Sequence, residues 1–316
     1  MEYTTLGRTG LKVSVAGLGC GGFSRLGLAT GKTEAEAVAV VRAALDLGVN
    51  FIDTAAPYRT EHVVGEAIQG RRDQVVLATK ATIYRGNDPV SPHDVVASLD
   101  NSLRLLKTEM IDVFQCHAVR PHMYPHVRDA ILPALQKEQQ KGKFRFVGIT
   151  ETAEDPEHHM LVQAASDGLW DTAMLAFSMM NQNARQSVFP LTLANKVGTL
   201  MMFAVRRIFA RPERLQAAMK ELVESGQVPA DLAAQSDPLG FLVHKDGASS
   251  VTDAAYRYVR HEPGVDVVLF GTGDQEHLRT NIESLLKPAL PLVDRERLNR
   301  SFGHLIGVGL DIPGQR

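Results

Sequence analysis

The chain has 316 residues, 44% of them hydrophobic, with a formal net charge of −2 at pH 7 and two cysteines. That length suits one domain over 1–316 with a large core, and the interspersed charges offer no basic stripe or arm for nucleic acid. Cys20 and Cys116 make no disulfide framework and fit a reducing, cytoplasmic setting, MEYTTLGRTG lacks the pattern of a secretory leader, and apolar runs such as Leu200–Val205 are too short for a membrane.

In chain order, YTTLGRTGLKVS (3–14) predicts a β-hairpin turning at Thr9-Gly10. VAGLGC (15–20) predicts a first buried strand, followed by a helix near 33–48 that starts at Thr33 and stops at Gly48. FID (51–53) leads into EHVVGEAIQG, and VVLATK (75–80) leads into a helix opened by Ser91-Pro92. IDVFQCH (111–117) precedes HVRDAILPALQKEQQKGK, and FRFVGIT (144–150) precedes a helix near 156–167. TAMLAFS (172–178) precedes a helix over 184–196, GTLMMFAV (198–205) follows, and DVVLFGTG (266–273) closes the series. Near-continuous apolar strands between helices mean a parallel sheet covered on both faces. Eight such units over this length predict a (β/α)8 TIM barrel with an N-terminal β-hairpin. The long connection after the seventh strand, about 206–250, carries a further helix, PERLQAAMKELVES. Connections of that length are often lids.

Polar residues stand where three successive strands stop: Asp53, Lys80 and His117. Strand C-terminal ends converge at the mouth of such a barrel. Buried charges need partners, so Asp53 and Lys80 are expected to pair. Tyr58, in NFIDTAAPY (50–58), can reach the same point. A phenol with an ordinary pKa of about 10 needs about 4 kcal/mol of help to ionise near neutrality, and an ammonium about 4 Å away supplies that much at an effective dielectric near 20. The set suits protonation of a carbonyl oxygen while a hydride attacks its carbon, and a nicotinamide is the missing hydride source. Taken singly, the residues have plainer readings. Asp53 suits a turn, His117 a hydrogen-bonded core site, and Lys80 a Schiff base.

With LGRTGLKVS, GLGCGGF (17–23), NFIDTAAPY, VVLATK, DVFQCH, FRFVGIT and VLFGTGDQEHLRTNI (268–282) in this order, the chain resembles the aldo-keto reductase family over nearly its whole length. The resemblance implies Tyr58 as general acid, Lys80 as the group lowering its pKa, Asp53 as the holder of Lys80 and His117 as the orienter of the carbonyl. It implies NADP(H) or NAD(H) as cofactor and a small carbonyl or alcohol as substrate. It also implies cofactor contacts at Gly21 and Gly22, and at Gly271, Thr272, Gly273, Gln275, His277 and Asn281 around the adenosine. The alternatives are a cofactor-binding barrel with a regulatory or scaffold role, or a Schiff-base lyase using Lys80.

The sequence departs from the family where the nicotinamide amide is usually held by Ser-Asn and Gln. Those positions are Thr150, Glu151 and Met174 here, with Thr150 and Glu151 as the remaining hydrogen-bonding candidates. Met202 stands where a stacking Tyr is common. Phe203-Ala204-Val205 replaces Ser-Pro-Leu and runs into Arg206 and Arg207, read as a pyrophosphate clamp. Asp274 opposes a 2′-phosphate if it points inward, and caps a helix otherwise; His277 and Arg279 offer positive charge nearby.

The remaining aromatic and histidine residues have simpler expectations. Tyr84, Tyr124 and Phe23 either line the pocket or fill space. His122 and His126 make no metal site, because Pro125 breaks their spacing. His158-His159 reads as a solvated pair, and Trp170 as packing at the barrel bottom.

Overall fold

The computed structural model describes residues 1–233 and 236–310. Residues 234–235 of the long connection, and the 311–316 end of the expected domain, lie outside that range. A hairpin of β1 (Tyr3–Thr5) and β2 (Lys12–Ser14) leads into the first barrel strand, β3 (Ala16–Gly19). The other barrel strands are β4 (Phe51–Asp53), β5 (Val76–Thr82), β6 (Ile111–Val119), β7 (Phe144–Glu151), β8 (Thr172–Ala176), β9 (Gly198–Met202) and β10 (Val267–Phe270). They pair in parallel, each with the next, and β10 pairs back onto β3, so the eight-stranded barrel is closed.

The helices begin where their caps predict. In α1 (Glu34–Asp46), Thr33 and Glu36 form a reciprocal capping box. Ser91 caps α3 (Pro92–Leu106), which follows the short α2 (Glu61–Ala67). The outer layer continues through α4 (Leu132–Gln140), α5 (His159–Asp167), α6 (Ala184–Ser187) and α7 (Phe189–Ala194). The helix expected over 184–196 is therefore two short ones, separated at Val188. In the long connection, α8 (Arg207–Ala210) and α9 (Pro212–Glu224) precede α10 (Val251–Arg260). The chain continues into α11 (Gln275–Leu286) and α12 (Leu292–Phe302). No helix among the described residues is long and apolar enough to cross a membrane.

The N-terminal hairpin turns through a 3-10 segment, Gly7–Thr9, with Gly10 in the left-handed region at φ 70°. Its Leu6, Leu11 and Val13 pack with Phe51, Val76, Val113, Leu200 and Val267 in one buried cluster that plugs the N-terminal end of the barrel. Arg8 donates to the Trp170 carbonyl at 2.8 Å, so Trp170 sits near that end, as expected.

Side chains alternate across a strand, so residues two apart share a face. Phe51 and Val76 lie in the interior cluster, and the same faces of β4 and β5 bring Asp53, two residues on, and Lys80, four residues on beyond the interior Ala78, inward nearer the mouth. On β6, Val113, Gln115 and His117 share the inward face. The polar site is the top layer of an otherwise apolar barrel interior.

Candidate active site

Lys80 is fully buried, and its ammonium is held on two sides. Its Nζ lies 2.5 Å from Asp53 Oδ2 and donates to the Thr54 carbonyl at 2.8 Å. Gln115 Nε2 donates to the other Asp53 oxygen at 3.2 Å. Burial works against charge on both ions, but at Lys80 the Asp53 carboxylate and its hydrogen bond, together with Tyr58 and Cys20, outweigh it and hold that pKa above the ordinary value. A buried pair with its spare hydrogen-bonding positions filled is tolerable where a lone charge is not. Gln115 was not singled out from the sequence. The available signal is its position two residues before His117, on the same strand face.

Tyr58 closes the 3-10 turn Ala56–Tyr58, which the β4 strand end feeds directly. Its ring centre lies 5.0 Å from Lys80 Nζ. Its hydroxyl lies 3.4 Å from His117 Nε2, and the two rings meet edge to face at 5.4 Å. Burial, reinforced by Lys80, drops the His117 imidazole to about 3, so it is neutral. Burial also pushes the Tyr58 phenol above its ordinary value, although Lys80 pulls the other way. This differs from the expectation of a phenol tuned towards neutrality: the pull of Lys80 is smaller than the push of burial. A neutral phenol beside a neutral imidazole can give a proton to an oxygen placed between them.

A cleft of about 640 Å³ opens beside this group. Asp53, Tyr58, Met174, Met202 and Phe203 line its inner end, with Gly21, Gly22 and Phe23 along one side. Gly271, Thr272, His277 and Asn281 line its far end. The floor needs glycine. A Cβ on Gly21 would stand 2.5 Å from the Tyr58 ring, and Gly22 is left-handed at φ 71°. Arg206 and Arg207 also face the cleft, and both stack on Phe23, at 5.0 and 3.9 Å from its ring centre. Arg206 lies 3.8 Å from the Phe203 ring as well. Phe203 is itself left-handed at φ 69°, a costly conformation for a residue with a Cβ.

Several expected site residues lie elsewhere. Thr150 Oγ1 accepts the Ala118 N–H at 2.7 Å. Glu151 Oε1 accepts from the Ala176 N–H at 2.7 Å, and its Oε2 pairs with His158 Nδ1 at 2.7 Å. Neither Thr150 nor Glu151 is among the residues that line the cleft. His158 is therefore buried against a carboxylate and not solvated; only its neighbour His159 is largely exposed. Gly273 packs against the Gly27 backbone, and Gln275 lies in a separate groove between α1 and α11. Tyr124 is buried beneath Trp170 and bonds Asp167 at 2.7 Å, away from the cleft. Tyr84 lies under the Arg120 guanidinium. Asp274 turns onto its own helix, accepting from Glu276 N–H and His277 N–H at 2.8 and 3.0 Å, which is the capping arrangement. Cys20 and Cys116 are buried thiols that burial pushes up.

Residues 17–298 match the Aldo/keto reductase family. The chain is 29% identical to L-galactose dehydrogenase of Arabidopsis thaliana over 310 residues, covering 95% of this chain and 92% of that protein. It is 28% identical to the aldo-keto reductase YhdN of Bacillus subtilis over 296 residues, covering 86% and 85%. Among solved structures, the holo form of aldo-keto reductase AKR11C1 from Bacillus halodurans superposes with a TM-score of 0.73 at 22% identity, covering 98% of this chain and all of that one. An aldo/keto reductase from Klebsiella pneumoniae, solved with NADP and acetate, superposes at 0.67 with 22% identity, covering 95% of each. The two solved structures share the fold, the family match spans most of the sequence, and the chain therefore belongs to the aldo/keto reductase family, as an oxidoreductase that works with a nicotinamide cofactor.

Proposed function

We propose that the cleft takes the cofactor lengthwise and that a carbonyl is reduced at its inner end with Tyr58 as the proton donor. The observation that carries this reading is the Tyr58 hydroxyl, set against His117 and backed by the buried Lys80–Asp53 pair at the inner end of the cleft. A glycine floor lets a flat, extended ligand approach the backbone closely. Arg206 and Arg207 lie midway, where their planar guanidinium forks suit phosphate oxygens. Thr272, His277 and Asn281 suit the polar adenosine end.

A bound reduced nicotinamide supplies a hydride to the carbonyl carbon. The protein's own work is the rest. His117, neutral, donates a hydrogen bond to the carbonyl oxygen. Tyr58 gives that oxygen its proton as the C–O double bond becomes single, and Lys80 stabilises the phenolate left behind. Alcohol oxidation runs the same steps backwards. Lys80 is poorly suited to Schiff-base chemistry, because Asp53 and the Thr54 carbonyl hold its proton and a nucleophilic amine must be neutral. The direct test is a panel of aldehydes, ketones and sugars, L-galactose among them, read by nicotinamide absorbance with both cofactors. No turnover with any member would leave the regulatory alternative standing.

Gly21→Ala tests the floor. The added carbon would displace the Tyr58 ring, so turnover is expected to fall roughly 10²-fold, the scale of a misplaced reacting group. Melting should move little, because the half-buried ring can yield. Wild-type turnover in that variant would count against the geometry.

Cofactor choice has a separate test. Asp274 is spent on its helix cap and does not line the cleft, so it does not oppose a 2′-phosphate. NADP(H) is expected to bind about tenfold or more tighter than NAD(H), about 1.4 kcal/mol, by calorimetry at one ionic strength. Asp274→Asn should leave that ratio unchanged. Tighter NAD(H) binding that Asp274→Arg reverses would show that the carboxylate reaches the ligand after all.

A further inference from the structure

Strand β6 carries an irregularity immediately after His117. Its pairing with β7 runs Gln115 with Gly148 and Cys116 with Ile149, then shifts so that Val119 meets Glu151. His117 and Ala118 together therefore oppose the single residue Thr150. This is a bulge, the device that re-aims a side chain beside a site. Ala118 takes φ 54°, in the left-handed region that a residue with a Cβ avoids. A conformation of that kind persists only when its surroundings impose it. One contact that does so is visible: the Ala118 N–H donates to Thr150 Oγ1 at 2.7 Å, and Thr150 is 1% exposed. Without that hydroxyl, the N–H freed by the bulge would be part-buried and lack this partner.

We propose that Thr150 is a positioning residue for His117: its hydroxyl fixes the bulge at Ala118, and the bulge aims the imidazole at the Tyr58 hydroxyl. This rests on the assignment of His117 to carbonyl binding above. It gives Thr150 a role of its own beside the nicotinamide contact that the family pattern implies: its oxygen accepts a backbone N–H at the bulge. Glu151, the neighbouring candidate for the amide, is engaged too, between Ala176 and His158.

The test is a double-mutant cycle in the full-length protein with bound cofactor. Thr150→Val keeps the shape and removes the hydroxyl. Its turnover is expected to fall about 10- to 100-fold, the range for a displaced catalytic group, with cofactor affinity unchanged. Thr150→Ser, which keeps the acceptor, should recover most of the activity. In a His117→Ala background, Thr150→Val should have no further effect, since the group it positions is gone. Effects of Thr150→Val that multiply with those of His117→Ala, or a weakened cofactor affinity in Thr150→Val, would overturn the proposal and return Thr150 to the nicotinamide. Full turnover in His117→Ala alone would remove His117 from the reaction, a different failure that takes the proposal with it. If Thr150→Val does not fold, Thr150→Cys, a similar volume with a weak acceptor, runs the same cycle.

Discussion

Tyr58→Phe is expected to cut carbonyl reduction by roughly 10²–10⁴-fold, the usual worth of a general acid, while cofactor affinity stays nearly constant. The substitution removes one oxygen. Its hydrogen bond to His117 Nε2 is long, at 3.4 Å, so the fold loses little with it. The ring remains between Gly21 and the Lys80 ammonium. Single-turnover hydride transfer and cofactor binding, measured together, separate chemistry from occupancy. Near-wild-type turnover would falsify the assignment of Tyr58.

Lys80→Met is expected to be at least as damaging, and in two ways that can be separated. The first is electrostatic. An ammonium about 5 Å from the phenol ring is worth about 3 kcal/mol to a phenolate at an effective dielectric near 20, a factor of roughly 10² in rate. The sign matters. Lys80 pulls the Tyr58 pKa down, so its loss raises that pKa further. Reduction uses the protonated phenol, which is present at every pH below that pKa. Oxidation uses the phenolate and climbs with pH towards it. Wild-type reduction should therefore be nearly flat through neutral pH, and the variant should lose reduction and oxidation by a similar factor at any one pH, since both share one equilibrium, with its oxidation profile moved to higher pH. An unshifted oxidation profile would count against the Lys80–Tyr58 coupling. The second effect is on folding. Asp53 would be left buried and unpaired, a loss of about 3–5 kcal/mol when one partner of a buried pair is removed. Adding Asp53→Asn should restore much of the stability and none of the oxidation activity. Lys80→Arg should rescue little, since the pocket between Asp53 and the Thr54 carbonyl holds a compact ammonium.

How much of this was legible in the sequence depended on whether backbone periodicity or side-chain direction decided the question. Strand period alone turns Asp53, Lys80 and His117 inward near the mouth. Capping chemistry alone placed the starts of α1 and α3. Glu151 is different. It stands where the family holds the nicotinamide amide, but the side chain turns to the Ala176 N–H and to a histidine seven residues on. His158 looked like a surface residue for the same reason: its partner cannot be seen without the loop's path. Burial pushes the Tyr58 phenol up more strongly than Lys80 pulls it down. The Lys80 attraction follows from sequence, but the burial that outweighs it does not. Asp274 had two readings of equal plausibility, and only the orientation of one carboxylate chose between them.

The closure of the barrel has a consequence for how the protein is made. Residues 16–18 pair with residues 268–270, and the Val268 N–H donates to the Val15 carbonyl at 2.9 Å. The first barrel strand thus acquires its second neighbour only after residues 267–270 have left the ribosome. Until then one edge of β3 is unpaired, and an exposed strand edge invites wrong partners. Pairings this distant along the chain also slow folding. A polypeptide cut short before residue 267 would carry the complete Asp53–Tyr58–Lys80–His117 set on a sheet that cannot close, and chaperone dependence and aggregation during synthesis should fall off sharply once that final strand has emerged.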